Sequence, residues 1–336
     1  MTPVGTGAGT GAEGEASSPV RTARRVEEDA LAWLSAHRED FALGADALAP
    51  DGAVNGSWKP LGELARVCAA VSRHTPSPDP LHAPARDLLA YAWRQTGEGE
   101  LFALLQRFEP LATYPLEVYA AFASAGLRHA GYEAATAAVA RTRGWRLAEQ
   151  DPTRRLGVLA AERCVGVHRP EDVPRLVSGT WLGGLPEPWT FERFSGYALT
   201  HVVFHLTDWG RDPDGVPADL GTYLADWLPA WLDTCLDAGM WDLSCELLAV
   251  AASLPEPIGQ AAACDAWERI ASARHATGAL PEERPPLEGP RSEPEFAHCY
   301  HSTLMAAFAA ALTIGRLRAT DGTTGAYEDD LEGAPR

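Results

Sequence analysis

The stretch 195–210 places polar side chains in an otherwise apolar helical pattern. On one helix, His201, His205 and Asp208 would stand at i, i+4 and i+7 and share a face. Two imidazoles and a carboxylate there could bind zinc or iron. Alternatively, Asp208 could orient His201 for proton transfer, with Thr200 beside it. The nonfunctional alternatives are hydrogen-bonded core histidines and an aspartate that caps the helix.

A second polar cluster, 298–303, opens the last long apolar segment. His298 and His301 would share a helix face at i, i+3. The positive end of a helix dipole stabilises a thiolate and favours a neutral imidazole. We therefore treat His301 and Tyr300 as candidate acid–base groups, and Cys299 with His301 as a candidate metal-ligand pair. The alternative is a solvated, capped helix start.

A third cluster covers residues 240–246. Asp242 and Glu246 stand at i, i+4 and could form a carboxylate pair, although acids in a first turn also complement the helix dipole. Cys245 is either a metal ligand or a small buried side chain.

Aromatic residues are concentrated around the first histidine cluster. Six of the eleven tryptophans fall between residues 181 and 241. Aromatic walls suit a flat, apolar or cationic ligand, although tryptophan also fills ordinary helix interfaces. The side chains predicted to bind a ligand are Tyr197, Phe204, Trp209, Trp227, Trp231 and Trp241.

Composition excludes several classes of function. Lys+Arg 28 against Asp+Glu 46 gives a net charge of −18, which disfavours nucleic-acid and membrane-surface binding. Lys59 is the only lysine, so Schiff-base chemistry depends on it alone. We find no Walker loop, no GxSxG elbow and no HExxH motif, and the GxGxxG match at 9–14 follows no strand. With no signal peptide, membrane span or CxxC pair, a cytoplasmic protein with reduced cysteines is expected.

Apolar residues recur at three- and four-residue spacing along almost the whole chain, which predicts an all-α fold of about thirteen helical segments. The similar stretches 124–133 and 237–246 indicate paired antiparallel helices. Such pairs build a closed α/α toroid or an open α-solenoid. We favour the toroid because no fixed repeat period is visible, and its centre would be a pocket.

Three segments lack the helical pattern. We predict a disordered tail at 1–20, a single all-helical domain at 21–318 and a disordered acidic tail at 319–336. The Pro- and Glu-rich stretch 277–295 is either a lid over the pocket or a solvated connection.

The two histidine clusters carry a family resemblance. Tyr197, Leu199, Thr200 and His201, followed by Thr207-Asp208 and Gly210, resemble a motif of an uncharacterised all-helical actinobacterial family. The block 300–304 resembles its second motif, and the resemblance covers roughly residues 25–318. It implies that the two histidine segments belong to one signature, and it implies no activity.

An architectural analogy concerns zinc. Lanthionine cyclases and protein prenyltransferases are closed α/α toroids that hold zinc at the ends of inner helices. Cys245, Cys299 and His301 resemble the ligand order of the cyclases, although Tyr300 interrupts the adjacent Cys-His pair and Ser302 replaces the glycine that follows it.

Two classes of function follow from these patterns. The first is an enzyme of specialised metabolism with an aromatic-lined pocket, in which His201, Asp208 and His301 perform a cyclisation, isomerisation or hydrolysis on a small molecule or peptide, with zinc or iron as candidate metals. The second is a noncatalytic helical-repeat adaptor that binds a protein or peptide. A homo-oligomer is compatible with both.

Overall fold

The structure is a computed structural model that describes residues 18–48, 56–256, 258–284 and 294–332, with side chains as far as residue 318. Over these ranges the chain is helical and contains no β-strand. The all-α prediction is therefore confirmed. The outermost residues of both predicted tails (1–17 and 333–336) and the centre of the predicted lid (285–293) lie outside the described residues.

The described residues form fourteen α-helices. They are α1 (Pro19–Ala36), α2 (Trp58–His74), α3 (His82–Gln95), α4 (Glu100–Phe108), α5 (Tyr114–Ser124), α6 (Ala130–Ala140), α7 (Arg143–Leu147), α8 (Pro152–Cys164), α9 (Val173–Ser178), α10 (Arg193–Leu206), α11 (Ala218–Ala238), α12 (Trp241–Ser253), α13 (Gln260–Ala273) and α14 (Tyr300–Glu332). Short 3-10 helices occur at Arg38–Phe41, Leu182–Gly184, Pro188–Thr190, Pro213–Gly215 and Phe296–His298. The helical bounds exceed the predicted domain at both ends, because α1 begins at Pro19 and α14 continues to Glu332.

Six helices pack against one another in sequence order. α2 contacts α5, α5 contacts α8, α8 contacts α10, α10 contacts α12 and α12 contacts α14, and α14 contacts α2 in turn. Five further helices pack on this set: α1 on α14, α3 on α2, α4 on α5, α9 on α8 and α11 on α12. α13 packs on α1 and α11, α6 on α4, and α7 on α6. The connections between consecutive helices are mostly short, which favours antiparallel neighbours.

Two of these six helices form the deepest part of the core. Every residue from Ser302 to Leu312 is buried, and the alanines at 306, 307 and 309–311 let α1, α2 and α12 approach α14 closely. α12 is buried almost all round, including its two acids Asp242 and Glu246. Buried carboxylates need partners, so this helix is where polar contacts are expected. None of the helices in the described part of the chain combines the length and apolar character that a membrane span requires.

Candidate functional site

A cavity of about 740 Å³ lies among the same six helices. α2, α5, α8, α10, α12 and α14 each contribute to its wall. The lining residues are Trp58, Lys59, Gly62, Glu63, Arg66, Val67, Tyr114, Glu117, Val118, Asp151, Thr153, Arg154, Gly157, Ala160, Ala161, Cys164, His201, Phe204, His205, Asp208, Trp209, Glu246, His301 and Met305. Both predicted histidine clusters therefore contribute a side chain to one cavity.

His301 lies between two carboxylates in this wall. Its Nδ1 atom is 3.1 Å from Oε2 of Glu63 on α2, and its Nε2 atom is 3.2 Å from Oε1 of Glu246 on α12. Burial alone would lower the pKa of His301, but the two carboxylates outweigh it and hold the pKa well above its usual value. His301 is therefore an imidazolium at neutral pH, and it donates one hydrogen bond from each nitrogen.

Glu246 connects His301 to α10. Burial would raise the pKa of Glu246, but the hydrogen bond from His301, the nearby His201 and the hydroxyl of Thr200 together lower it. Thr200 donates to Oε2 of Glu246, the oxygen that His301 does not use. The side chain of Glu246 is only 2% exposed. This carboxylate is consequently charged, buried and held on both oxygens.

A second contact joins α10 to α12, about one helical turn before the contact between Thr200 and Glu246. The hydroxyl of Tyr197 donates to Oδ2 of Asp242, whose Oδ1 accepts from the backbone N–H of Leu243 at 2.7 Å. Burial and the Asp242 charge raise the pKa of Tyr197 above its usual range. Tyr197 therefore stays protonated and fixes the start of α10. It does not line the cavity.

His201 has one ring nitrogen committed and one free to act as an acceptor. Its Nδ1 atom lies 2.7 Å from the backbone oxygen of Tyr197 one turn earlier. A carbonyl only accepts, so Nδ1 must carry a proton, and the neutral ring then has its lone pair on Nε2. His201 can accept a proton from a molecule in the cavity.

His205 is the neighbouring histidine on α10, with its ring centroid 6.2 Å from that of His201. Its Nδ1 atom is buried and finds no partner among the described residues. Burial and the positive groups nearby lower the pKa of His205 to about 3. Gly157 makes room for the ring, since a Cβ atom there would lie 2.8 Å from Nε2. His205 is therefore a neutral wall residue.

Asp208 stands in a turn rather than on the helix, because α10 ends at Leu206. Asp208 and Trp209 both adopt left-handed backbone conformations, with φ of 47° and 57°. Such angles cost non-glycine residues on the order of 1 kcal/mol each. The carboxylate of Asp208 lies 3.5 Å from Arg211. Asp208 lines the cavity as predicted, but the expected helical i, i+7 relationship to His201 is not found.

The turn presents Trp209 to the cavity. Its ring stacks on Phe204 with a centroid distance of 4.9 Å and also meets Phe308 at 5.6 Å. The guanidinium of Arg66 lies 5.3 Å from the ring centroid, over its face. Arg66 also donates from Nη2 to the backbone oxygen of Glu117 at 3.1 Å. The strained turn thus holds the Trp209 ring against the guanidinium of Arg66.

Comparison with known proteins gives a family. A family model described as Domain of unknown function (DUF6895) matches residues 27–311. The chain belongs to the DUF6895 family. No curated protein and no solved structure matches the chain. Every cavity residue lies inside the matched range, so the cavity of this chain lies within its DUF6895 domain.

The DUF6895 chain does not assemble the predicted metal ligands. Cys299 is buried outside the cavity lining, and its Sγ atom lies 3.3 Å from the backbone oxygen of Glu295. Both nitrogens of His301 face carboxylates and carry protons, so neither offers a lone pair to zinc or iron. Within the described ranges, no group of three or more His, Cys, Asp or Glu side chains is placed to hold a metal ion. The residues present do not fit a zinc or iron centre.

The predicted aromatic lining of the DUF6895 cavity is found only in part. Phe204 and Trp209 line it, whereas Trp227, Trp231 and Trp241 do not. Trp231 stacks on Phe191 and donates to the backbone oxygen of Pro188, in the packing of α11. Trp231 and Trp241 are buried in helix packing, as the alternative explanation expects, whereas Trp227 is 39% exposed.

Two further predicted residues of the DUF6895 chain support the site without lining it. Tyr300 is buried and stacks on Phe296 at 5.1 Å, and burial together with the Glu63 charge raises the pKa of its hydroxyl. Cys245 is fully buried, and burial raises the pKa of its thiol well above the usual value. An uncharged thiol in the core is a packing residue, not a ligand.

Sequence reasoning missed several of the charged residues that build the DUF6895 site. Glu63 and Arg66 were not considered, and Glu246 was read mainly as a first-turn acid. One signal was available: Lys59, Glu63 and Arg66 stand at i, i+4 and i+7 in the otherwise apolar stretch 58–71. A charged face on a helix that is buried on its other sides points to a polar cavity.

Proposed function

We propose that this DUF6895 chain is an enzyme that binds a small molecule in the cavity and catalyses a proton transfer. The observation that carries the proposal is the presence of two differently hydrogen-bonded histidines in one wall. His201 has an available lone pair on Nε2, whereas His301 is held protonated by Glu63 and Glu246. Titratable groups that face one cavity beside a charged network are candidates for acid–base catalysis.

Each polar residue then has a defined role. His201 accepts a proton from the substrate and returns it, and the backbone oxygen of Tyr197 fixes its tautomer. His301 donates both of its N–H groups to Glu63 and Glu246, so it holds these two carboxylates in the wall. Glu246 and Thr200 are positioning residues, because they act through His301. Asp208, predicted to orient His201, contributes to the wall instead.

The proposed architecture is the closed α/α toroid. Its support is the cycle of helix contacts, in which α14 packs against both α12 and α2, and the position of the cavity among those six helices. An open solenoid would not bring its first and last helices together.

The size of the cavity supports a small-molecule substrate. About 740 Å³ falls within the range of roughly 300–1,000 Å³ that ligand pockets occupy. The reaction class is an isomerisation, cyclisation or hydrolysis that begins with removal of a proton. All six cysteines are present as thiols, which supports the cytoplasm as its compartment.

A solvent-exchange screen tests this proposal and does not require the substrate to be identified first. The purified protein is incubated in D₂O with a defined library of small metabolites, and mass spectrometry records deuterium uptake or conversion. We expect at least one compound to change with the wild type and not with His201→Gln. His298→Gln is the matched control, since His298 is exposed and outside the cavity lining. Equal conversion by His201→Gln would overturn the proposal, and so would a complete absence of conversion by the wild type.

One separate observation favours the adaptor alternative. Trp189, just before α10, and Phe194, in its first turn, are each 82% exposed. Large exposed apolar side chains are typical of protein-binding surfaces. An adaptor would keep its partner in a pull-down with His201→Gln and lose it with Trp189→Ala. An enzyme would lose conversion in the exchange screen with His201→Gln and keep it with Trp189→Ala.

A further inference from the structure

Among the described residues, Arg66 lines the cavity and has no carboxylate within ion-pair distance, and Arg73 on the same helix also has none but lies outside the cavity lining. The side chains of Arg155, Arg169 and Arg274 are 9%, 8% and 9% exposed, and each lies within ion-pair distance of an acid. Arg66 projects from α2 into the cavity wall and meets a single acceptor among the described residues, the neutral backbone oxygen of Glu117. Its remaining N–H donors are left for another acceptor.

Four of the five acids of the same wall are already paired with other cations, and the fifth, Asp151, accepts from the backbone N–H of Arg154. Glu117 lies 2.8 Å from Arg154, and Asp208 lies 3.5 Å from Arg211. Glu63 and Glu246 hold His301. An unpaired guanidinium in a partly buried site is unfavourable, and burial accordingly lowers the pKa of Arg66. An anion that enters the cavity would remove this cost.

The wall also fixes the direction of the guanidinium. Trp209 lies under Arg66 at 5.3 Å, and its own ring is stacked on Phe204. The strained turn at Asp208 and Trp209 maintains this arrangement. The guanidinium of Arg66 contacts Trp209 with one face and donates one hydrogen bond to the backbone oxygen of Glu117. Its remaining N–H groups can donate to a bidentate oxyanion.

We propose that Arg66 and Trp209 form an anion-binding subsite, so that the substrate carries a carboxylate or phosphate group attached to an apolar or flat body. The oxyanion binds the free N–H edge of Arg66, and the body of the molecule contacts Trp209 and Phe204. The reacting atom then extends toward His201 in the same wall. The assignment of a substrate rests on the proposed enzymatic function, whereas the binding of the anion can be tested by itself.

Calorimetric titration with three probes of similar shape tests the subsite. Benzoate and phenyl phosphate carry the two candidate oxyanions, and benzyl alcohol is the neutral counterpart, with sodium chloride used to match ionic strength. We expect at least one anionic probe to bind the wild type at least tenfold more tightly than benzyl alcohol. Which of the two anions binds better identifies the substrate class.

Variants distinguish this subsite from general charge effects. Arg66→Gln should weaken the preferred anion at least tenfold and leave benzyl alcohol unchanged, while Arg128→Gln, an exposed arginine outside the cavity, should bind like the wild type. Arg66→Lys keeps the charge without the planar fork and should lose at least threefold, which provides a test if Arg66→Gln does not fold. Equal anion affinity in the wild type and in the Arg66 variants would overturn the inference. So would a wild type that does not prefer either anion to benzyl alcohol.

The outcome is independent of catalysis. His201→Gln should bind the anionic probe normally, because His201 contributes to the acid–base step and not to the subsite. Intact anion binding without deuterium exchange in the wild type would contradict the proposed function alone. Deuterium exchange without a preference for anions would contradict the subsite alone.

Discussion

Glu63 and His301 meet in the cavity wall with Oε2 and Nδ1 3.1 Å apart, although 238 residues separate them in the chain. The contact joins α2 to α14, and the other nitrogen of His301 reaches α12 through Glu246. One charged ring therefore connects three helices from distant parts of the sequence. Its protonation affects both the chemistry of the cavity and the stability of the fold.

The first prediction concerns stability at alkaline pH. The pKa of His301 is higher in the folded chain than its usual 6.5, so the folded state retains a proton that the unfolded state releases. The stabilisation is complete below about pH 6.5 and is lost as the pH rises through the folded pKa. We expect the free energy of unfolding to fall by up to about 1.4 kcal/mol per pH unit in that window. Urea denaturation between pH 6 and 10 measures it.

His301→Gln should remove this component, and His298→Gln should retain it. If the wild type and His301→Gln show parallel pH profiles, the protonated state assigned to His301 is wrong.

The second prediction compares the two carboxylates that hold His301. Glu246→Gln leaves a buried imidazolium with one charged partner and a single side-chain oxygen to accept from both His301 and Thr200, so we expect a loss of about 3 kcal/mol of stability. Glu63→Gln should cost less, because the Glu63 side chain is 25% exposed whereas that of Glu246 is 2% exposed. Chemical denaturation at pH 7 measures both variants. A larger loss for Glu63→Gln would contradict the ranking.

Much of the fold could be predicted from sequence because helical periodicity is a local signal. The apolar spacing in 61–71 and 296–317 predicts helices that are found in α2 and α14. The end of α10 could not be read as easily. The pattern continued to Asp208, but Thr207 accepts from the N–H of Gly210 and bonds back to the Val203 oxygen, and this favours a turn.

The site was harder to predict than the fold because its partners come from distant segments. His201 and His301 stood out as polar residues in apolar helices. Glu63 did not, since a glutamate four residues after Lys59 reads equally well as a surface ion pair. Sequence shows that a residue needs a partner, but only the tertiary packing of α2 against α14 shows which partner it has.

The third prediction concerns the charge of His205. Its pKa of about 3 means that the ring stays neutral at pH 5, where an unperturbed histidine is mostly charged. The NMR chemical shifts of the His205 ring nitrogens, assigned by their loss in His205→Gln, should show the pattern of a neutral imidazole at pH 5. Because the unfolded chain binds this proton more readily, the free energy of unfolding should fall as the pH drops from 6.5 toward 3. A charged His205 in the folded protein at pH 5 would contradict the prediction.

The fourth prediction uses two helical glycines as a matched pair. A Cβ atom at Gly157 would lie 2.8 Å from Nε2 of His205, whereas a Cβ atom at Gly221 would meet nothing within 4 Å. Gly221→Ala should stabilise α11 by roughly 0.5–1 kcal/mol through helix propensity alone. Gly157→Ala gains the same propensity but forces the His205 ring to move, at a cost of about 1–3 kcal/mol.

We therefore expect Gly157→Ala to be less stable than Gly221→Ala by at least about 1 kcal/mol in thermal or urea denaturation. Equal stabilisation by both substitutions would mean that α8 does not pack against the His205 ring as described.

Because α14 packs against α1, α2 and α12, the cavity cannot be complete during protein synthesis until α14 has been made. A ribosome has already translated Glu63, His201 and Glu246 when it reaches residue 300, yet none of them has its final surroundings. Until α14 (Tyr300–Glu332) emerges from the exit tunnel, Glu63 on α2 and Glu246 on α12 lack the His301 imidazolium that binds both of them. The cavity wall is thus incomplete until α14 has been synthesised.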